Sequence, residues 1–406
     1  RLLPSEPYDE WSTSGAIADV DGDGLSDVFI VNYCSGLGPV IQSCEATCSP
    51  MIFPAVADRV VKGTADGRLE EMSASWLNGS TAGRGLGLVV GNLDSAQGNE
   101  VFVANDMTSN HFYSASRETA GFALTESATL RGLAGDDRGL AQGSMGIATG
   151  DFDGDQDLDL YVTNFDGEYN TLHEQTSAEI WQDRTAALGL SRPTLPRVGF
   201  GTEAIDLDNS GASVLFVLNG HVDIFSRKGE RVTYAQPAQV FHREPKQGFT
   251  SVDVDSLGDY FSKPHVGRSL WTIDANRDGR IDLVATHQTE PVALLMNETT
   301  SDSRSLRVEL VGTESSRDAV GARVTVTDPT GRHASEFRVA GGGYQCSNES
   351  ILHFGLGHAA EGALEITVDW PRGNRERFRH SGKEMVIVEG QGSPDSPPAI
   401  GMFRSK

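Results

Sequence analysis

Five aspartates within nine residues form the stretch of the chain that is best suited to chemistry. They occupy positions 1, 3, 5, 7 and 9 of a short loop that leads into the apolar run Leu160–Thr163: Asp151, Asp153, Asp155, Asp157 and Asp159. Carboxylates this close repel one another at neutral pH, and a hard cation with oxygen ligands, such as Ca2+, removes the repulsion. An EF-hand begins in the same way, but Val162 stands here in place of its closing Glu, and strands are predicted on both flanks. The alternative is an Asp/Gly-rich hairpin turn without a metal.

Four other segments align with Gly150–Asn164 without gaps, so the acidic loop is a repeat. They are Ala18–Asn32, Gly91–Asn105, Ile205–Asn219 and Ile273–His287. The five loops begin at positions 19, 92, 151, 206 and 274, and we number them one to five in that order. A short apolar run precedes each loop. A β-rich run follows it and ends in Asn, or in His in the last repeat.

The five loops differ in how many oxygen ligands they offer. Loops one and five have full sets of site residues, and position 7 is counted with them, as Asp157 is in loop three. The sets are Asp19, Asp21, Asp23, Leu25 and Asp27 in loop one, and Asp274, Asn276, Asp278, Arg280 and Asp282 in loop five. Loops two and four have shorter sets: Asn92, Asp94 and Glu100, and Asp206, Asp208 and Ser210. Loop two has Ala96 at position 5, and loop four has Val214 at position 9. We therefore expect three or more Ca2+ sites, with ions in loops one, three and five. Loop two stays open, and loop four is expected to be empty or weak.

The repeat unit is strand, acidic turn, strand, and successive loops lie 73, 59, 55 and 68 residues apart. This length suits one four-stranded sheet per repeat, and sheets of this kind that stack radially make an all-β β-propeller. We do not expect a parallel α/β fold, because amphipathic helical stretches are scarce between the strands.

The pattern changes after Asn297. Three alternating runs, Ser305–Leu310, Ala322–Thr327 and Leu364–Trp370, predict strands of a small β-sandwich. We therefore divide the chain into a propeller at residues 1–298, a β domain at 299–389 and a Pro/Gly/Ser-rich tail at 390–406.

The composition excludes some classes of partner and location. The formal net charge of −24 argues against nucleic acid and anionic membranes as partners. No apolar run has the ~18–20 residues of a membrane span. The four cysteines allow three pairings, and a disulfide formed in an oxidising compartment is expected among them: Cys34, Cys44, Cys48 and Cys346.

Several short strings, together with the acidic repeat, resemble a known family. They are Val103–Met107, Val162–Phe165, Asn170–Leu172, Leu218–Val222, Val266–Arg268, Asp318–Arg323, Phe354–Gly357 and Trp370–Gly373. The repeat resembles the FG-GAP repeat of integrin α-chain propellers. More closely, the chain resembles secreted proteins that join such repeats to a C-terminal ASPIC/UnbV domain, the cartilage acidic protein-like family. That family usually has about seven blades and five are visible here, which implies that further blades lie upstream of Arg1, have diverged or have been removed.

The resemblance and the acidic loops imply a secreted, Ca2+-stabilised protein that acts in extracellular binding or adhesion, with a protein or glycan ligand. The exposed edges of an incomplete propeller could also pair with another chain, so self-assembly is a further possibility. The alternative is an enzyme, for example a polysaccharide lyase or hydrolase, with its site in the propeller funnel near Asp106, Asp166 and Asp223. His221 could be a ligand or a general base there, or a blade-end histidine tied to the backbone.

Overall fold

The structure, a computed structural model, describes residues 10–36, 48–94, 96–118, 121–224, 226–227, 230–244, 247–359 and 362–394. The architecture is all-β, as predicted. In the described part of the chain the α-helices have only four residues each and two short 3-10 turns occur: Ser73–Trp76, Ala128–Arg131 and Ser191–Thr194, and Pro50–Ile52 and Val254–Leu257.

Each of the five repeats forms its own antiparallel sheet. We call these sheets blades one to five, in chain order. The strands of blades one and two are Glu10–Ala18, Asp27–Ser35, Arg59–Gly63 and Leu69–Glu71, and Gly85–Gly91, Glu100–Asn105, His111–Glu118 and Gly121–Glu126. The strands of blades three and four are Ile147–Gly150, Asp159–Val162, Thr171–Ser177 and Ile180–Asp183, and Gly199–Ile205, Val214–Asn219, Gln239–Glu244 and Gly248–Ser251. Blade five has Gly267–Ile273, Asp282–His287 and Ala293–Leu295.

Every acidic loop connects the first and second strands of its blade, as the repeat predicts. In blade three, for example, Gly150 pairs with Asp159 across the loop. Blade five departs from the expected four strands, because three strands form its sheet in the described residues. Two short ribbons lie outside the blades: Ser226–Arg227 with Glu230–Arg231, and Gln236–Pro237 with Pro264–His265.

Apolar cores join each blade to the next. One core holds Phe29 and Val31 of blade one against Leu88 of blade two, and similar cores link blades two to three, three to four and four to five. Phe102 is fully buried, and its truncation to Ala would cost about 3–5 kcal/mol. None of these cores joins blade five to blade one within the described residues, so the blades form an arc rather than a ring closed by apolar packing.

The C-terminal residues form a β-sandwich, as predicted, which we call the module. One sheet contains Leu352–Gly357, Arg304–Val311 and Glu384–Val388, with the last two strands parallel. The other contains His333–Phe337, Arg323–Thr327, Leu364–Asp369, Arg375–His380 and Ser393–Pro394. Alternate residues of both sheets face one core, in which Val308, Phe354 and Ile366 are buried. This alternation is the period-2 pattern that identified the strands. The rest of the predicted tail, 395–406, lies outside the described residues.

One segment of the module, residues 340–349, runs along the first strands of four blades, and we call it the axial segment. Gly341 pairs with Val89 of blade two, and Gly343 exchanges two backbone hydrogen bonds with Ile147 of blade three. The Asn348 amide donates to Glu203 of blade four (3.0 Å). In blade five, Thr272 N donates to Asn348 Oδ1 (2.9 Å), and the Cys346 thiol donates to the Leu270 carbonyl. The axial segment therefore lies where a propeller channel would run.

Three consecutive glycines allow the axial segment to take this course. Gly341, Gly342 and Gly343 all have positive φ angles, of +83°, +91° and +61°. A Cβ on Gly343 would lie 2.8 Å from the Leu270 carbonyl oxygen. Both the backbone conformation and the close approach favour glycine here.

Candidate metal centres

Loop three folds around its first aspartate. Asp151 Oδ1 accepts the Gly154 N–H (2.7 Å), and its Oδ2 accepts the Gln156 N–H (3.0 Å). The closing residue Asp159 accepts the Phe152 N–H (2.8 Å) and the Gln175 N–H of the next strand (2.9 Å). The first and last carboxylates are thus fixed by backbone donors before any ion binds.

Loop one repeats this geometry. Asp19 accepts the N–H groups of Gly22 (2.7 Å) and Gly24 (2.8 Å), and Asp27 accepts those of Val20 and Gly63 (2.9 Å each). Gly22 and Gly24 have positive φ angles of +75° and +92°, which the loop needs in order to turn twice.

These two loops bring carboxylates together. One oxygen each from Asp19, Asp21 and Asp27 lie within 4.8 Å of one another, as do oxygens from Asp151, Asp153 and Asp159. No other group of three or more acidic, His or Cys side chains in the described ranges comes so close. Oxygen ligands are what Ca2+ requires, so the residues of loops one and three fit that ion.

The electrostatics of both loops favour a cation. Burial raises the pKa of Asp159 to about 8 and the pKa values of Asp27 and Asp153 to about 6. Burial also raises the pKa values of Asp19 and Asp151, and neighbouring aspartates add to the effect. A divalent cation would reverse these shifts, because it stabilises the charged carboxylates.

A lysine lies on the carboxylates of loop one. The Lys62 ammonium, from the third strand of blade one, forms ion pairs with Asp21 and Asp23. In loop three, by contrast, no basic side chain of the described residues pairs with any of the five aspartates.

Loop two has a different arrangement. The Asn92 amide donates to the Ala96 carbonyl (2.6 Å), so its nitrogen points into the loop. Asp94 pairs with Arg131 (3.0 Å), and Glu100 accepts the Leu93 N–H (2.8 Å). Burial raises the pKa of Glu100 to about 8.

Loop four presses against the module. Asp206 Oδ1 accepts the Ser210 N–H (3.0 Å), and Asp208 Oδ1 accepts the same N–H (3.1 Å). A Cβ on Gly355 of the module would overlap Asp206 Oδ2, which shows how closely the module packs against loop four. Burial raises the pKa of Asp206 to about 6.

Loop five keeps the folded shape of loops one and three, but arginines reach its carboxylates. Asp274 accepts the N–H groups of Asp278 and Gly279 (3.0 Å each), and Asp282 accepts that of Ala275 (2.9 Å). Arg280 pairs with Asp278. Asn276, at position 3, donates to Asp278 Oδ2 (2.9 Å) and accepts the Asp278 N–H (3.1 Å). Arg307 of the module pairs with Asp274 (3.1 Å).

All five loops contact the module. The loops therefore form one face of the blade array, and the module sits on that face. In loops one and two, Arg372 of the module donates to the Asp23 carbonyl (3.1 Å), and Asn99 donates to the Val320 carbonyl of the module (3.1 Å). In loops three and four, Arg323 and Arg332 of the module donate to Gln156 Oε1 (2.9 Å) and to the Ser210 carbonyl (2.8 Å). In loop five, Arg307 of the module pairs with Asp274 Oδ2 (3.1 Å).

The residues expected at a funnel site have structural contacts. His221 is fully buried, its Nδ1 accepts the Val222 N–H (2.9 Å), and its ring packs on Phe165. Asp106 accepts the Tyr33 hydroxyl (2.7 Å). These contacts, and the axial segment between the blades, favour the structural interpretation of His221 over a ligand or base.

Two of the four cysteines are free thiols, Cys34 and Cys346. Neither of these two takes part in the predicted disulfide. Cys44 lies outside the described residues.

The basic residues at the loops and the axial segment were not found from the sequence. Lys62, Arg131 and Arg307 come from other parts of the chain, so no local spacing marks them. The run Gly341–Gly343 was the one available trace of the axial segment.

The comparison with solved structures gives only distant similarities. Among the described residues, no helix is long and apolar enough to cross a membrane. Two solved structures are similar in part: rhamnogalacturonan lyase YesW, 12% identical with a TM-score of 0.29, and Bacillus licheniformis rhamnogalacturonan lyase, 11% identical with a TM-score of 0.28. Each similarity covers 71% of this chain and 61% of the lyase chain. Scores this low say nothing about the activity of this chain.

Sequence relatives give a clearer answer. Cartilage acidic protein 1 of Mus musculus is 26% identical over 383 residues, which cover 92% of this chain and 54% of the relative. The Homo sapiens protein is 26% identical over 382 residues, with 92% and 52% covered. The chain thus spans about half the length of the curated relatives it matches. Residues 312–393 match the family model "ASPIC and UnbV", within the β-sandwich module. The chain thus carries an ASPIC/UnbV domain and, over most of its length, is similar to cartilage acidic protein 1.

Proposed function

We propose that the chain is an extracellular calcium-binding protein in which Ca2+ in the blade loops stabilises the propeller and secures the module on it. One observation carries the proposal: the acidic loops of all five blades lie on one face and contact the module there. An ion that fixes a loop therefore also fixes part of the interface between the blades and the module.

Loops one and three support the proposal most directly, because their carboxylates converge and their backbone shape is already formed. Asp19, Asp21 and Asp27 would hold one ion, and Asp151, Asp153 and Asp159 would hold another. In loop three, calcium would supply the positive charge that the converging carboxylates lack. In loop one, it would take the place of Lys62. Extracellular sites can be weak and still filled, since calcium is plentiful outside cells.

The extracellular location rests on the relatives, which carry the name cartilage acidic protein, and on the acidity of the chain. A binding, adhesion or assembly role, with a protein or glycan ligand, fits the same features. The axial segment argues against the lyase or hydrolase alternative, because it occupies the place of the funnel in which that site was expected.

Thermal unfolding of the calcium-depleted chain, followed during a Ca2+ titration, tests the proposal. An ion that binds only the native state raises stability with its concentration. We expect a rise in Tm at millimolar Ca2+ that a chelator reverses, and a smaller rise in Asp19→Ala and Asp151→Ala. Mg2+ is the control ion, and it should have little effect because it demands a tighter octahedral site. An unchanged Tm at millimolar Ca2+ would overturn the proposal.

A further inference from the structure

The five loops differ in whether a basic side chain forms an ion pair with their carboxylates. In the described residues, no basic side chain forms an ion pair with a carboxylate of loop three, where Arg323 of the module contacts the Gln156 amide instead. The carboxylates of loop one pair with Lys62, which is partly accessible to solvent. Loops two and five each meet a buried arginine. This difference decides which loops have room for an ion.

In loop two the arginine is Arg131, from the helix that follows the fourth strand. Its Nη1 lies 3.0 Å from Asp94 Oδ2, and the side chain of Asp94 is only 2% exposed. Its Nε donates to Ser127 Oγ (2.9 Å), and its guanidinium covers the Phe112 ring at 4.7 Å. Arg131 is thus held by a carboxylate, a hydroxyl and an aromatic face.

In loop five the arginine belongs to the module. Arg307 Nη1 lies 3.1 Å from Asp274 Oδ2 and 3.2 Å from Glu384 Oε1, and its Nη2 lies 3.7 Å from Glu349. The side chains of Arg307 and Asp274 are 8% and 0% exposed. Asp274 stands at position 1, the residue around which the loop folds.

A guanidinium and a calcium ion cannot share these oxygens. Calcium needs its oxygen ligands at about 2.3–2.6 Å, while a guanidinium in ion-pair contact with the same oxygen fills that space and repels a second positive charge. An arginine also keeps its charge at any physiological pH. Expelling it would leave a buried charge without its partner, which is strongly unfavourable.

We propose that Arg131 and Arg307 replace the calcium ion in loops two and five, so that the chain binds calcium in loops one and three only. Loop five then serves as the docking site of the module, and Arg307 is the charge that the module inserts in place of the ion. This inference rests on the proposed function for loops one and three. It replaces the sequence-based expectation of an ion in loop five.

Counting bound calcium by isothermal titration of the calcium-depleted chain tests the inference. The variants form two matched pairs, each with one change in loop three and one at the same position of a loop that holds an arginine. At position 3, Asp153→Asn in loop three is compared with Asp94→Asn in loop two. At position 5, Asp155→Asn in loop three is compared with Asp278→Asn in loop five. The unmodified chain should bind two ions. The loop three variants should lose one ion or bind it at least tenfold more weakly, whereas Asp94→Asn and Asp278→Asn should keep both.

The reverse experiment uses Arg307→Met. This variant frees Asp274, the residue around which loop five folds, and should bind a third ion. Circular dichroism establishes that each variant is folded, and if Arg307→Met fails to fold, the Asp278→Asn result still decides.

The outcomes are distinct. Loss of an ion in Asp278→Asn or Asp94→Asn would overturn the inference, as would a folded Arg307→Met that gains none. A wild-type chain that binds no calcium would instead overturn the proposed function.

Discussion

At the scale of single residues, the lysine on loop one is a built-in competitor of the ion. Lys62 pairs with Asp21 and Asp23, and its ammonium also lies 5.5 Å from the centre of the Trp76 ring. Without calcium, the lysine offsets the repulsion between the carboxylates. With calcium, it must move aside.

We therefore predict opposite effects of Lys62→Met on affinity and on stability. Calcium affinity at loop one should rise roughly tenfold, the equivalent of about 1.4 kcal/mol. The calcium-depleted chain should lose about 1 kcal/mol of stability, as for a partly exposed ion pair. Titration calorimetry and urea unfolding measure the two quantities. Lys263→Met, at an exposed position, is the control and should change neither. An unchanged affinity would show that Lys62 does not compete.

The buried carboxylates predict an unusual pH dependence. The pKa values of Asp159 and Glu100 are raised to about 8 and that of Asp27 to about 6, while the same groups titrate near 4 in the unfolded chain. Between about pH 4 and pH 8 the folded chain thus binds more protons than the unfolded chain, and stability falls as pH rises. The calcium-depleted chain should have a lower Tm at pH 8 than at pH 5. The increase in Tm caused by calcium should be larger at pH 8. A calcium-free chain with its higher Tm at pH 8 would contradict this account.

The predicted ligands and the arginines that the sequence did not reveal differ in how far along the chain they lie from the loop they belong to or contact. Asp151 and Asp159 could be found because a loop is local, and spacing alone brings its alternate residues together. Arg131 and Arg307 could not be found, because the fold brings them to the loops from 37 and 33 residues away.

At the scale of elements, the axial segment is the least tolerant part of the fold. Gly343 has a φ of +61°, and a Cβ there would meet the Leu270 carbonyl and Cys346 Sγ. We predict that Gly343→Ala destabilises the chain by about 2–4 kcal/mol, from backbone strain and overpacking together.

Gly331→Ala is the matched control for that prediction. Gly331 lies in the same module with a φ of +90°, but a Cβ there would meet nothing within 4 Å. Only the strain of about 1 kcal/mol should remain. Chemical unfolding of the two variants measures the difference, and equal losses would show that the axial segment does not pack as described.

The strands themselves could be predicted because alternation is a local pattern. The module strands at Arg323–Thr327 and Leu364–Asp369 agree with the predicted runs to within one residue at each end. Not every β-rich stretch stays in its sheet: after the strand Leu69–Glu71, Ser73–Trp76 form a helical turn that buries Trp76.

At the scale of the whole molecule, the module places positively charged side chains against the acidic face of the blades. The net charge is −24, yet the module brings arginines to the loops: Arg307, Arg323, Arg332 and Arg372. The position of the module on the blades could not be predicted from the sequence, because it depends on how five separate loops come to lie on one face.

If calcium in loops one and three secures the module on the blades, it should slow hydrogen exchange in both parts of the molecule. The exchange of the calcium-depleted chain is measured before and after Ca2+ is added. We expect slower exchange in Asp19–Asp27 and Asp151–Asp159, and also in the module around Arg323 and Arg372, which contact those loops. Slower exchange in the loops with an unchanged module would contradict the claim, and so would no change in either.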